Sequence, residues 1–597
     1  MKPVIYQIFV RLFGNRNEQV RSYGTISQNG CGKFDDITET ALNSLRDFGV
    51  THVWYTGVIE HAVAADYSDF GIINDYPEIV KGRAGSPYAI KDYFDVDPDL
   101  ANDVAQRMQE FESLVDRTHK AGLKVIIDFV PNHVARIYGS DAASSHPGID
   151  DFGMNDDAGE SFRAGNDFYY LPGQELKLPD ELYDKASITE YRKNPEKYRE
   201  FPARATGNDC FRNDPGGGDW YETVKLNYGV DYMNGRRKHF DPVPPLWQKM
   251  KSVILFWAGK KADGFRADMA EMVPLEFWSW LIPSVKSQFP DLLFIAEIYQ
   301  PDLYRDYIET GRFDYLYDKM DFYDVTRNII EGKADTRSLT WCWQRLGDLE
   351  KYMLRFLENH DEQRIASRFF AGDPWKAIPG MVLAATMNSG PLLIYSGQEV
   401  GEPAEGPSGF SGDDGRTTIF DYWVVPNHQK WMNHGKFDGG GLPAGMAELR
   451  KTYAGIIGLC REKLFSKGSF YDLMWVNTHL YGLRGTGIYA CLRYLNGEVA
   501  LVILNFGRAA CDRARLIIPG DAWDAINAGG TLKIAGWVSY GGGNEAFHED
   551  LKKTEGIEFC LPGSGGLLQD SVSKNEGIEF CLQGHSGLVI YMESLQL

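Results

Sequence analysis

Eight short apolar runs, most of them giving way to a polar or acidic residue at the C-terminal end, lie within the first 400 residues of this 597-residue chain. They read VIYQIF (4–9), THVWYTG (51–57), KVIIDFV (124–130), GFRAD (264–268), LLFIAE (292–297), FDYLYD (313–318), LRFLEN (354–359) and PLLIYSG (391–397). Between them run helical patterns such as ALNSLRDFGV, QRMQEFESLVDRTHKAGL and PLWQKMKSVILFWAGKKA. Strand and helix alternating eight times predict an α/β chain folded as a (β/α)8 TIM barrel.

Spacing refines this. Asp268 to Glu297 is 29 residues, one βα unit, and Glu297 to Asp361 is 64, two units. Asp128 to Asp268 is 140 residues, roughly 100 more than one unit takes. A domain is therefore expected as an insertion after strand 3, over 134–240, with the barrel made of 1–133 and 241–465. The insert holds DAASSHPGIDDFGMNDDAGE and GNDCFRNDPGGGDWYE, loop-forming compositions that would wall one side of a cleft over the rim. From 466 to 597 the pattern changes to short alternating strands (GIYACLRYL, EVALVILNF, RARLIIP, GLVIYME), which predict a C-terminal antiparallel β-sandwich domain. Within it EGIEFCLPGSGGL, from Glu555, is nearly repeated as EGIEFCLQGHSGL, from Glu576. Two copies are too few for a solenoid and read as a local duplication extending one sheet.

Barrels of this type do chemistry at the C-terminal rim of the strands. Four strings end there, in order: DFVPNH (128–133), GFRAD (264–268), FIAE (294–297) and ENHD (358–361). They make Asp268, Glu297 and Asp361 candidates to meet at one rim. A retaining glycosidase needs a nucleophilic carboxylate and a proton-donating carboxylic acid about 5–5.5 Å apart, and neighbouring strands stand about 4.8 Å apart. Asp268 is accordingly expected as nucleophile and Glu297, with its longer reach, as general acid/base. Arg266, two residues before Asp268, shares its face and is expected to keep Asp268 ionised by lowering its pKa. Glu297 must instead carry a proton at working pH; Asp361 would repel its ionised form and hold two sugar hydroxyls. His133 and His360 suit other hydroxyls of the same sugar, and Tyr88, in GSPYAIKDYFDVDP, could stack on its face. Singly, each has a plainer reading, since strand-end aspartates cap helices and an arginine beside an aspartate is commonly a structural pair. Their order and spacing together favour the site.

These motifs resemble the α-amylase family of retaining enzymes acting on α-glucans, and the resemblance extends over essentially the whole chain. It implies Asp268 as nucleophile, Glu297 as acid/base, Asp361 as transition-state stabiliser, and Tyr88, His133, Arg266 and His360 at the first sugar subsite. GQE at 397–399 and GDDGRTTIFDYW at 412–423 are similar to family segments too. Two departures stand out. Glu271 and Met272 occupy places where many members carry Lys-His, so recognition beyond the cut must differ. In TVKLN (223–227), Lys225 stands where true α-amylases place a calcium-binding aspartate. Asn132 remains from that calcium site, but an ammonium opposes a divalent cation. No cofactor and no metal are therefore expected, and calcium is not favoured. A lysine here is closer to neopullulanase-like, maltodextrin-degrading members.

The implied activity is hydrolysis of α-glucosidic bonds in malto-oligosaccharides or related α-glucans. A glucan transferase of 4-α-glucanotransferase type, using the same triad, stays open as the alternative. A non-catalytic sugar-binding protein is more remote, because it predicts loss of a carboxylate. The net charge of −21 argues against nucleic acid or an anionic membrane as partner, and leaves a neutral oligosaccharide or polysaccharide fully compatible. No apolar stretch reaches membrane-spanning length. No signal-type segment precedes the first strand, so the cytoplasm is expected. The eight cysteines form no CxxC pair and read as free thiols.

Overall fold

A computed structural model describes residues 1–142, 151–182, 197–406, 412–480, 483, 487–527, 531–541, 566–567, 571–573 and 578–594. The eight expected runs form the eight parallel strands β1 (Val4–Phe9), β2 (His52–Thr56), β3 (Lys124–Phe129), β4 (Gly264–Ala267), β5 (Leu293–Ala296), β6 (Tyr315–Tyr317), β7 (Met353–Leu354) and β8 (Leu392–Tyr395). They pair in the order β7-β6-β5-β4-β3-β2-β1-β8. A parallel bridge from Arg355 to Leu392 closes the ring. Ile5, Trp54, Ile126, Ile295, Tyr317, Leu354 and Leu393, from seven of the strands, fill its interior. That is the packed centre of a (β/α)8 barrel rather than a pore.

The surrounding helices bury one stripe each. Glu39–Phe48 buries Ala41, Leu42, Leu45 and Phe48, the spacing of a core-facing helical stripe. It starts where the Thr38 side chain accepts the N–H of Ala41 and stops at Gly49, whose φ of 120° suits glycine. Ile378–Thr386 is buried at every position, because it lies between the barrel and the C-terminal strands.

Between β3 and β4 run short antiparallel ladders, including His133–Ala135 with Thr223–Lys225 and Tyr170–Leu171 with Ala203–Arg204. After the barrel comes a six-stranded antiparallel sheet running from Ser469–Asp472 to Ser586–Ser594, with a second sheet of three strands. Arg493 ties it back, donating to the carbonyl of Met387 at 2.8 Å. Most of the first EGIEFCL copy lies outside the described residues. Its last two, Gly566–Leu567, pair antiparallel with Phe580 and Cys581 of the second copy. Cys560 also lies outside; Cys31, Cys210, Cys342, Cys460 and Cys491 are free thiols. Among the described residues no helix is long and apolar enough to cross a membrane.

Candidate active site

The register of β4 decides which side chains meet. Arg266 pairs with Asp128 of β3 on one side and with Ile295 of β5 on the other. Two residues on, Asp268 and Glu297 face inward beside each other at the C-terminal rim, as strand alternation requires. Their backbone extends the ladder one step further, Asp268 N–H to the carbonyl of Phe129 at 2.9 Å and Glu297 N–H to that of Ala267 at 3.1 Å. Met269 then turns into the left-handed region, φ 44°. Strain of this kind costs about 1–3 kcal/mol and collects at functional sites. Here it aims the Met269 N–H at Glu297 Oε2, 2.8 Å away.

Arg266 stands between the two carboxyls. Its Nη1 donates to Asp268 Oδ1 at 2.8 Å, and its Nη2 lies 2.8 Å from Glu297 Oε2 as an ion contact. The guanidinium is boxed by the rings of Trp54 and Tyr88, each 5.4 Å from their centroids, and of Tyr317 at 5.6 Å. Stacking of this kind suits arginine and would be lost with lysine.

A cavity of about 260 Å³ opens onto this rim, close to the size of ordinary small-molecule sites. Tyr88, His133, Asp268, Glu297 and Asp361 line it. Trp220, Glu222 and Thr223 of the expected insert wall one side, and Ile419 and Phe420 of the GDDGRTTIFDYW segment wall another. Arg266 and His360 stand against these lining residues, next to Asp268 and Asp361. Each is only 1 % exposed and stands behind the carboxyls. The Gln7 amide bridges Thr56 Oγ1 and His360 Nδ1, at 2.9 and 2.8 Å. With Gln7 assigned as donor, Nε2 carries the ring proton beside the Tyr88 hydroxyl and Asp361 Oδ2. His360 thus braces two wall residues, and its stacked contact with Tyr88 directs that ring.

Burial sets the protonation states. It holds His360 well below the usual histidine range, with Arg266 adding to the effect, and holds His133 at about 3 with Lys225 and Lys81. Both imidazoles are neutral. Asp268 departs from expectation. Burial pushes its carboxyl well above the usual range; Arg266 pulls it down, but Glu297, Asp128 and Asp361 add to the rise. Sequence reasoning counted the guanidinium and omitted desolvation and the crowd of like charges. Asp361 is pushed to about 7 by burial and then Glu297, and Asp128 to about 6 chiefly by burial. Four carboxyls, Asp128, Asp268, Glu297 and Asp361, thus crowd around one guanidinium.

This gives a prediction with a definite sign. The folded pKa of Asp361, about 7, lies above the unfolded value, so its contribution to stability is fully present below about pH 4 and is lost as pH rises through 7. Asp361→Asn removes that loss. In scanning calorimetry the variant melts with the wild type near pH 4 and about 2 °C or more above it at pH 8, a figure held low because the carboxyl is partly open to the cavity. A gap independent of pH contradicts the assignment.

Sequence reasoning missed three parts of the site. Tyr299 donates its hydroxyl to Glu297 Oε1 at 2.5 Å. Glu271, at the place of the family's lysine, accepts the N–H groups of Tyr299 and Gln300 at 3.0 and 3.1 Å and so fixes that loop. Asp128 takes the Trp54 indole N–H at 3.1 Å and lies 3.4 Å from Arg266. The Glu271 substitution was visible in the sequence, but its partners were not.

Lys225, in register opposite His133, donates to Asn132 Oδ1 at 2.7 Å and pairs with Asp209 at 2.6 Å. The ammonium sits on the residue that would have ligated calcium, so this donor set does not fit a divalent cation.

The family model for the α-amylase catalytic domain matches residues 7–418. The chain belongs to the α-amylase family. Among α-amylase family relatives it is 26% identical over 407 residues to the α-amylase MalA of Haloarcula japonica, covering 67% of this chain and 44% of that protein. It is 22% identical over 365 residues to α-amylase 3 of Dictyoglomus thermophilum, covering 57% and 60% respectively. The chain thus spans about half the length of these curated relatives. In fold it is similar to a maltogenic α-amylase of Thermotoga neapolitana, with a TM-score of 0.57, 20% identity, and 100% of this chain and 99% of that one covered. It is similar also to the cyclic α-maltosyl-(1→6)-maltose hydrolase of Arthrobacter globiformis, with a TM-score of 0.55, 18% identity, and 86% and 93% covered.

Proposed function

We propose that this α-amylase family chain hydrolyses α-glucosidic bonds in malto-oligosaccharides or related α-glucans by double displacement, with retention. The observation that carries the reading is the Arg266 guanidinium holding Asp268 and Glu297 at one cavity wall with Asp361 in the same cavity. One guanidinium between two carboxyls fits the closer of the two glycosidase spacings, about 5–5.5 Å, better than the wider gap that admits water for inversion.

In the first step Glu297 gives its proton to the bridging oxygen as Asp268 attacks the anomeric carbon, and the C–O bond to the leaving sugar breaks. Arg266 and the Met269 N–H receive the carboxylate that Glu297 becomes. In the second step Glu297 takes a proton from water, whose oxygen displaces Asp268 from the anomeric carbon. Asp361 holds hydroxyls of the distorted ring, and Tyr88 packs on its face. The Lys225 ammonium takes the place of calcium beside Asn132, so no metal enters the reaction.

A timed digest of maltoheptaose tests this. Hydrolysis gives shorter sugars only, ending in glucose or maltose. Products longer than seven units would favour glucan transfer; a maltosyltransferase of Cereibacter sphaeroides, 26% identical over 282 residues, is also a relative. No consumption of maltoheptaose would remove malto-oligosaccharides as substrates.

A further inference from the structure

Away from the cavity, Glu60, Asp92 and Asp141 each turn a carboxylate oxygen toward the others, all within 4.8 Å. They come from three segments: the strand Ile59–His61 after β2, its partner Ile90–Val96, and the first residues of the insert. Asp92 is fully engaged as an acceptor. Its Oδ1 takes the N–H of Phe94 at 2.8 Å, and its Oδ2 takes the Ser140 hydroxyl at 2.6 Å and the Ala142 N–H at 3.3 Å. Asp141 Oδ2 takes Arg107 Nη2 at 2.7 Å, which also holds Asp95.

Two oxygens remain without any donor, Glu60 Oε2 and Asp141 Oδ1. Glu60 is 1 % exposed, so bulk water does not reach it. The nearby cations are already engaged, Arg107 with Asp95 and with Oδ2 of Asp141, and Lys91 with Asp75 at 2.8 Å and the carbonyl of Ile73. Leaving such oxygens bare costs about 1–3 kcal/mol each, and more when charged. A hard cation takes carboxylate oxygens as ligands. Opposed ligands stand about 4.6–5.2 Å apart around calcium, but only about 4.0–4.2 Å around magnesium.

We propose that Glu60, Asp92 and Asp141 bind a divalent cation of calcium's class, which ties the entry of the insert to the hairpin beside β2. The site is separate from the Asn132–Lys225 pair and carries no step of the reaction. The competing arrangement is a proton on Glu60 shared with Asp141.

The test is the melting temperature of the full chain after chelation, with calcium chloride added back. Calcium raises the wild-type midpoint by about 2–5 °C, saturating by about 5 mM, and magnesium raises it less. Glu60→Gln melts at or above the chelated wild type and does not respond to calcium. If that variant does not fold, Asp141→Asn carries the same expectation. A chelated wild type unmoved by calcium would mean a shared proton only. A variant that responds as the wild type does would put the cation elsewhere. Either result overturns the proposal.

Discussion

Asp268→Asn lowers kcat on malto-oligosaccharides by about 10⁴-fold or more, with KM changed far less. The amide keeps the shape and an acceptor for Arg266 Nη1, now 2.8 Å from the carboxylate, but cannot form the glycosyl ester. The loss therefore falls on the chemical step. The melting temperature stays level or rises, because the substitution removes one of four crowded carboxyls whose burial already disfavours charge. Steady-state kinetics and calorimetry on the same preparation separate the two readings. A fall of many degrees alongside lost activity would make Asp268 structural, and turnover near that of the wild type would remove it from the mechanism.

Glu297→Gln shows a dependence on leaving group that Asp268→Asn does not. On maltoheptaose, whose departing oxygen needs a proton, the loss is about 10³–10⁴-fold. On an α-glucosyl fluoride, fluoride leaves without protonation, so the first step is largely spared. The second step still lacks its base, and the glycosyl enzyme accumulates. Azide, a nucleophile that needs no base, attacks the anomeric carbon, releases Asp268 and restores turnover. Equal loss on both substrates and no azide effect would take the acid/base role away from Glu297. The Met269 N–H that now meets Glu297 Oε2 can meet the glutamine carbonyl, and the amide NH2 in the place of Oε1 can donate to the Tyr299 hydroxyl oxygen, so the fold survives the change.

Local pattern carried most of the barrel. Each of the eight apolar runs became a strand, because a buried parallel strand is apolar on both faces and must be punctuated by helices. The inward pairing of Asp268 with Glu297 followed from βα spacing and alternation. What pattern could not carry was depth and cross-strand neighbours. His360 sits one residue from Asp361, yet the residue that holds its ring is Gln7 of β1, 353 positions away. Asp268 carries a rise set by burial, which the Arg266–Asp268 spacing does not report. Tyr299 follows Glu297 by two residues, but its hydroxyl reaches back only because Glu271 pins the loop's N–H groups. That Lys225 shares a place with Asn132 was readable from the family motifs; its ion pair with Asp209, from a glycine-rich loop, was not.

The most direct test of the central claim is the mass of the accumulated intermediate. Glu297→Gln is mixed with an α-glucosyl fluoride, quenched in acid and weighed intact, then cleaved and mapped. The account predicts a protein heavier by one anhydroglucose unit, with the added mass on the peptide carrying Asp268 and on that residue. An adduct on any other side chain, or fluoride release with an inverted product and no adduct, would contradict it.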